Sequence, residues 1–166
     1  KKTFKSLGFR SATSIETKVI GSFTDPSGTI LIVHGGKKQG ISGGLLVVTD
    51  DKIVVGKISD VYDDFSLITP LRNNGVTMSV TIQPGNIEGL LVGRGNSIMV
   101  DLVPNEVNLE KGNFVLTNAV GESTIPDLLI GEIISAEKNT SKAFQDISIK
   151  EPFSYRTLRS VFITHR

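Results

Sequence analysis

The stretch Gly40-Ile41-Ser42-Gly43-Gly44 holds residue types that could carry a reaction. It fits Gly-x-Ser-x-Gly, in which a sharp turn exposes a serine hydroxyl. A serine nucleophile needs a histidine base within hydrogen-bond reach and a carboxylate that orients the base. His34 lies eight residues before Ser42, and Asp50, Asp51, Asp60, Asp63 and Asp64 follow it. Other chemistry has less support. Asp60-Val61-Tyr62-Asp63-Asp64 lacks the spacing of a calcium loop and reads as a solvated turn. With no cysteine and an isolated His34, no metal set is expected. Gly93-Arg94-Gly95-Asn96 lacks the glycines of a phosphate-binding loop and reads as a hairpin turn, so no cofactor is expected.

The serine segment is also similar to the nucleophile segment of trypsin-like double-barrel proteases. Those enzymes carry an acid before the serine, where this chain has Ile41. Their histidine and serine lie about a barrel apart, whereas His34 and Ser42 are close in the chain. The remaining histidine, His165, is next to the last residue. A glycine-rich turn leading into a strand, with one glycine at positive φ, explains the segment without catalysis. The alternative is a degenerate or active double-barrel serine hydrolase with Ser42 as its nucleophile.

What must position these residues is a β framework. The 166-residue chain has 17 glycines and 6 prolines and no long helix-period pattern. Short apolar, β-branched runs alternate with turn chemistry: Asp25-Pro26-Ser27-Gly28, Asn73-Asn74-Gly75 and Pro84-Gly85-Asn86. Twelve such runs are predicted strands, from Glu16–Gly21 to Ser160–Thr164. In Thr77–Ile82, the residues Met78, Val80 and Ile82 share one face, as a half-buried strand requires. Ser154 could cap a short helical turn before the last strand. Net charge is +1, which gives no electrostatic footprint for nucleic acid. No run of apolar residues is long enough to span a membrane. The opening Lys1-Lys2-Thr3 has no signal-peptide pattern, and the expectation is a piece of something longer.

An offset of 68 positions overlays the chain on itself. Thr29-Ile30-Leu31-Ile32 then covers Ser97-Ile98-Met99-Val100, Gly21 covers Gly89, and Gly44 to Thr49 covers Gly112 to Thr117. After an insertion of seven residues, Val55-Gly56-Lys57-Ile58 is echoed by Ile130-Gly131-Glu132-Ile133. The duplication predicts an all-β fold of two similar six-stranded antiparallel β-barrels in tandem. The divisions are a lead-in over 1–14, a first barrel over 15–82 and a second over 83–166, with one strand open to exchange between them. Gly21, Gly44, Gly56, Gly89, Gly112 and Gly131 are the predicted turn glycines.

The same residues resemble the extracytoplasmic part of the rod-shape-determining MreC family. The resemblance lies in Thr17-Lys18-Val19-Ile20-Gly21, Gly35-Gly36-Lys37-Lys38-Gln39-Gly40-Ile41, Gly89-Leu90-Leu91-Val92-Gly93, Lys111 to Thr117, Ile125 to Gly131 and Ile149 to Phe153. It runs from about Ile15 to Ile163. Thr117-Asn118-Ala119 stands where the family commonly has Thr-Ser-Gly, and Glu122-Ser123-Thr124 replaces a glycine-rich, aromatic turn.

The resemblance implies a non-catalytic scaffold of the bacterial cell-elongation machinery. It also implies a place on the periplasmic side of the inner membrane, anchored by an N-terminal helix that these residues do not include. The implied partners are a penicillin-binding transpeptidase, MreD, RodA and further copies of the chain, with no nucleic acid. Aromatics beside turns are the candidate contacts: Phe23, Phe144, Phe153, Tyr155 and Phe162. At least three of these five are expected to be core.

Overall fold

The structure, a computed structural model, describes residues 14–120 and 125–164. The lead-in over residues 1–13, the loop holding Glu122-Ser123-Thr124 and His165 lie outside the described residues.

Twelve strands follow in chain order: β1 Ser14–Asp25, β2 Gly28–His34, β3 Leu46–Val48, β4 Val54–Val61, β5 Phe65–Pro70, β6 Thr77–Gln83, β7 Ile87–Gly93, β8 Ile98–Asp101, β9 Phe114–Thr117, β10 Leu129–Glu137, β11 Asp146–Lys150 and β12 Ser160–Thr164. They close into two six-stranded antiparallel barrels, so neither has an open edge. A single 3-10 turn, Tyr155–Thr157, precedes β12, and the Ser154 hydroxyl accepts from the Arg156 amide.

The first barrel runs β1-β12-β3-β4-β5-β2. The second, started at β7, runs β7-β6-β9-β10-β11-β8. The orders superimpose position by position: β1 on β7, β2 on β8, β3 on β9, β4 on β10 and β5 on β11. The place held by β6 in the second barrel is held in the first by β12. The division at 82/83 therefore differs from the observed barrels in two strands. β6 belongs to the second barrel, because the Pro84-Gly85-Asn86 turn makes it a hairpin with β7, in register from Thr77↔Val92 to Ile82↔Ile87. β12 returns to the first barrel and lies between β1 and β3.

Strand alternation explains the packing. Val161 and Ile163 of β12, Val47 of β3 and Val55 of β4 point into the first barrel with Leu31, Val33 and Ile68. Their neighbours Phe162, Leu46, Val48 and Val54 point the other way and join the second barrel's core around Val80, Ile82 and Ile130. These strands are thus buried on both faces, which is why β3 has no polar residue. Phe162 is only 8% exposed in this seam. Of the five candidate contacts, it is one that the structure places in the core, as a barrel-to-barrel packing residue.

The glycines divide by role. Gly44 and Gly112, equivalent in the duplication, have φ of 87° and 94° and are true turn residues. Gly56 and Gly131, also equivalent, lie inside β4 and β10. A Cβ there would sit 2.2 Å from the Thr69 carbonyl oxygen and 2.4 Å from that of Lys150. They are close-approach positions between strands. Gly21 and Gly89 likewise lie in strands, not turns.

Candidate interaction surface

The outer face of the first barrel carries a band of exposed apolar side chains. β2 and β5 pair with His34 opposite Phe65 and Ile32 opposite Leu67. Leu31, Val33 and Ile68 between them face the core, so alternation turns the other set outward. A register shift in β1 between Val19 and Gly21 makes Ile20 an extra residue and presents it to solvent at 58% exposure. Ile20, His34, Glu16, Thr17 and Lys18 line a shallow hollow of about 380 Å³. At the β4–β5 hairpin, the exposed Tyr62 and Phe65 rings stack with centroids 4.6 Å apart. An exposed Lys38–Asp64 ion pair, 3.4 Å, sits beside that hairpin. Phe23, exposed and opposite Ile30, lies on the same sheet face as Gly21 and Ile32.

The other aromatics are placed differently. Phe144 is half-buried and helps wall a cavity of about 510 Å³ on the second barrel, with Arg94, Met99, Asp101, Leu102 and Lys142. Phe153 and Tyr155 meet edge to face at 4.8 Å and pack on the first barrel's core. The Tyr155 hydroxyl donates to Glu151 Oε2 at 3.0 Å and lies 3.3 Å from the Val55 carbonyl oxygen. The Arg72 guanidinium covers the Tyr155 ring at 4.8 Å, and its Nε is 3.5 Å from Glu151 Oε1. Burial pushes the Glu151 carboxyl up to about 7, against the hydrogen bond from Tyr155 and the charge of Arg72. Burial first, and then the Glu151 charge, pushes the Tyr155 phenol well above its ordinary value.

Ser42 is exposed, between the 3-10 turn Lys37–Gln39 and β3. Neither its hydroxyl nor the His34 ring has a hydrogen-bond partner among the described residues, and His34 faces the hollow beside Ile20. The two are not assembled as nucleophile and base. The described residues contain no metal-ligand cluster and no helix long and apolar enough to cross a membrane. Sequence reasoning missed Ile20, Tyr62 and Phe65. The Asp63-Asp64 pair between two aromatics was the available sign of a hairpin presenting both rings. The bulge at Ile20 left no sign.

Residues 19–165 match the family model described as rod shape-determining protein MreC, barrel core. The chain belongs to the MreC family. It is 24% identical over 148 residues to the cell shape-determining protein MreC of Haemophilus influenzae, covering 88% of this chain and 42% of that protein. It is 23% identical over 127 residues to the Streptococcus pneumoniae protein of the same name, covering 72% and 46%. The chain thus spans less than half the length of these two relatives.

Solved MreC structures share the fold. The Pseudomonas aeruginosa crystal structure superimposes with a TM-score of 0.83 at 14% identity, over 91% of this chain and 98% of that one. A structure described as the major periplasmic domain of the cell shape-determining filament MreC gives 0.78 at 18% identity, over 92% and 95%. MreC in a complex with penicillin-binding protein PBP2 from Helicobacter pylori gives 0.63 at 13% identity, over 92% and 99%.

Proposed function

We propose that this chain is a non-catalytic scaffold of the bacterial cell-elongation machinery, and that it holds a penicillin-binding transpeptidase on the outer face of its first barrel. The observation that carries this reading is the exposed Ile20, Phe65 and Tyr62, with His34 between them, on the outer face of a closed barrel. Exposed apolar residues gathered on one face mark a protein-binding surface more often than scattered ones do. The PBP2 complex of the Helicobacter pylori relative supports the class of partner. Of the five aromatics named as candidates from the sequence, Phe23 and Phe144 are the two outside the core clusters, and each is proposed as a secondary contact. The reading extends to MreD, RodA and further copies of the chain, and to a periplasmic location anchored by an N-terminal helix.

Calorimetry against the soluble region of a penicillin-binding transpeptidase tests it. The folded chain should bind, and the double substitution Ile20→Ser with Phe65→Ser should weaken binding at least about tenfold, which corresponds to about 1.4 kcal/mol. Loss of two aromatic or aliphatic anchors from an interface commonly exceeds that. Binding unchanged by the double substitution, or no binding by the folded chain, would remove the proposal.

A further inference from the structure

The chain passes between the barrels twice, outward through residues 71–76 and back through 151–159. The outgoing connector is held to the second barrel by backbone: the Gly95 amide donates to the Arg72 carbonyl at 2.7 Å and the Gly93 amide to that of Val76 at 2.8 Å. The Leu71 amide donates to the Val55 carbonyl, the oxygen that the Tyr155 hydroxyl also approaches. Side chains alone link the two connectors at this point. Arg72 comes from the first, and Glu151 and Tyr155 from the second. The Glu151 side chain is 6% exposed, yet the Arg72 Nε beside it is buried and makes no hydrogen bond among the described residues. The ion pair is therefore incompletely satisfied.

We propose that Arg72, Glu151 and Tyr155 form a proton-operated clasp that fixes the returning connector against the outgoing one. The charged and titratable groups acting on Glu151 are Arg72 from the first connector and Tyr155 from its own; the neutral Val55 carbonyl of β4 faces the Tyr155 hydroxyl. With the clasp closed, burial holds the carboxyl at about 7, while in an opened, hydrated connector it returns to its ordinary 4.5. A proton is bound more tightly in the closed form, so acid favours closure and rising pH favours opening. From these two values, the opening equilibrium rises about 30-fold between pH 5.5 and pH 8.0. This device is independent of which partner the first barrel holds.

Hydrogen exchange of the Thr157 and Leu158 amides, which donate to the Ser154 and Tyr155 carbonyls inside the returning connector, corrected for intrinsic rates, reads the opening. The wild-type opening constant should rise about 30-fold from pH 5.5 to pH 8.0, and Glu151→Gln should abolish the rise. A flat wild-type profile, or a Glu151→Gln variant that keeps the rise, would overturn the clasp. If Glu151→Gln does not fold, Tyr155→Phe replaces it. Removing the hydroxyl that favours the charged carboxylate should move the wild-type profile to higher pH, and an unmoved profile would also overturn the proposal.

Discussion

Replacing Phe162 by alanine removes a ring at the seam where β12 leaves the second barrel's core and closes the first. Phe162 is 8% exposed, pairs with Val48 across the strands and packs in the cluster that holds Val80 and Ile130. Truncating a buried phenylalanine costs about 3–5 kcal/mol, the lost transfer energy plus the cavity left behind. For a chain of this length about 2–4 °C of melting temperature is lost per kcal/mol, so a fall of about 10 °C is expected. Peptide-level hydrogen exchange adds the decisive detail. Because β12 is a strand of the first barrel packed on the second, protection should fall in β1 and β3 as well as in β6 and β9. A loss under about 1 kcal/mol would place Phe162 at the surface. A loss of protection confined to the second barrel would contradict the assignment of β12 to the first.

Gly56→Ala and Gly131→Ala should each destabilise by about 1–3 kcal/mol or more, since the new Cβ meets a backbone carbonyl at 2.2 Å or 2.4 Å; urea melts check both. Stability should fall by about 3 kcal/mol as pH rises from 4.5 to above 7, because Glu151 binds its proton more tightly folded than unfolded. Urea melts of Glu151→Gln against wild type across that range isolate the contribution, and a variant with the same pH slope would contradict the assignment. Ser42→Ala should leave stability and partner binding unchanged, and a fluorophosphonate probe should not label Ser42; labelling that the substitution abolishes would restore the hydrolase alternative.

Strand positions were readable because each strand is short, β-branched and fenced by turn residues. The repeat was readable because Gly44 and Gly112 need the same left-handed turn, and Gly56 and Gly131 the same close strand approach. Pairing partners were harder. Period-two alternation tells which face of Thr77–Gln83 is buried but not which barrel buries it; the hairpin turn at Pro84-Gly85-Asn86 held that information. β12 carries no local sign of its return, since its partners Ser14–Lys18 are nearly the whole chain away. The same separation hid the clasp: Arg72 and Glu151 meet only because both barrel crossings pass Val55. Phe153 and Tyr155 read equally well as surface or core. Only the fold shows that they cover the first barrel's interior.

On the proposed reading, the transpeptidase sits on the outer face of the first barrel. Hydrogen exchange of the chain with and without the soluble transpeptidase region tests it most directly. Exchange should slow across β1 near Ile20, β2 near His34 and the Tyr62–Leu67 hairpin, with little change around the Phe144 cavity of the second barrel. Protection confined to the second barrel, with the Ile20–Phe65 band unaffected, would contradict it.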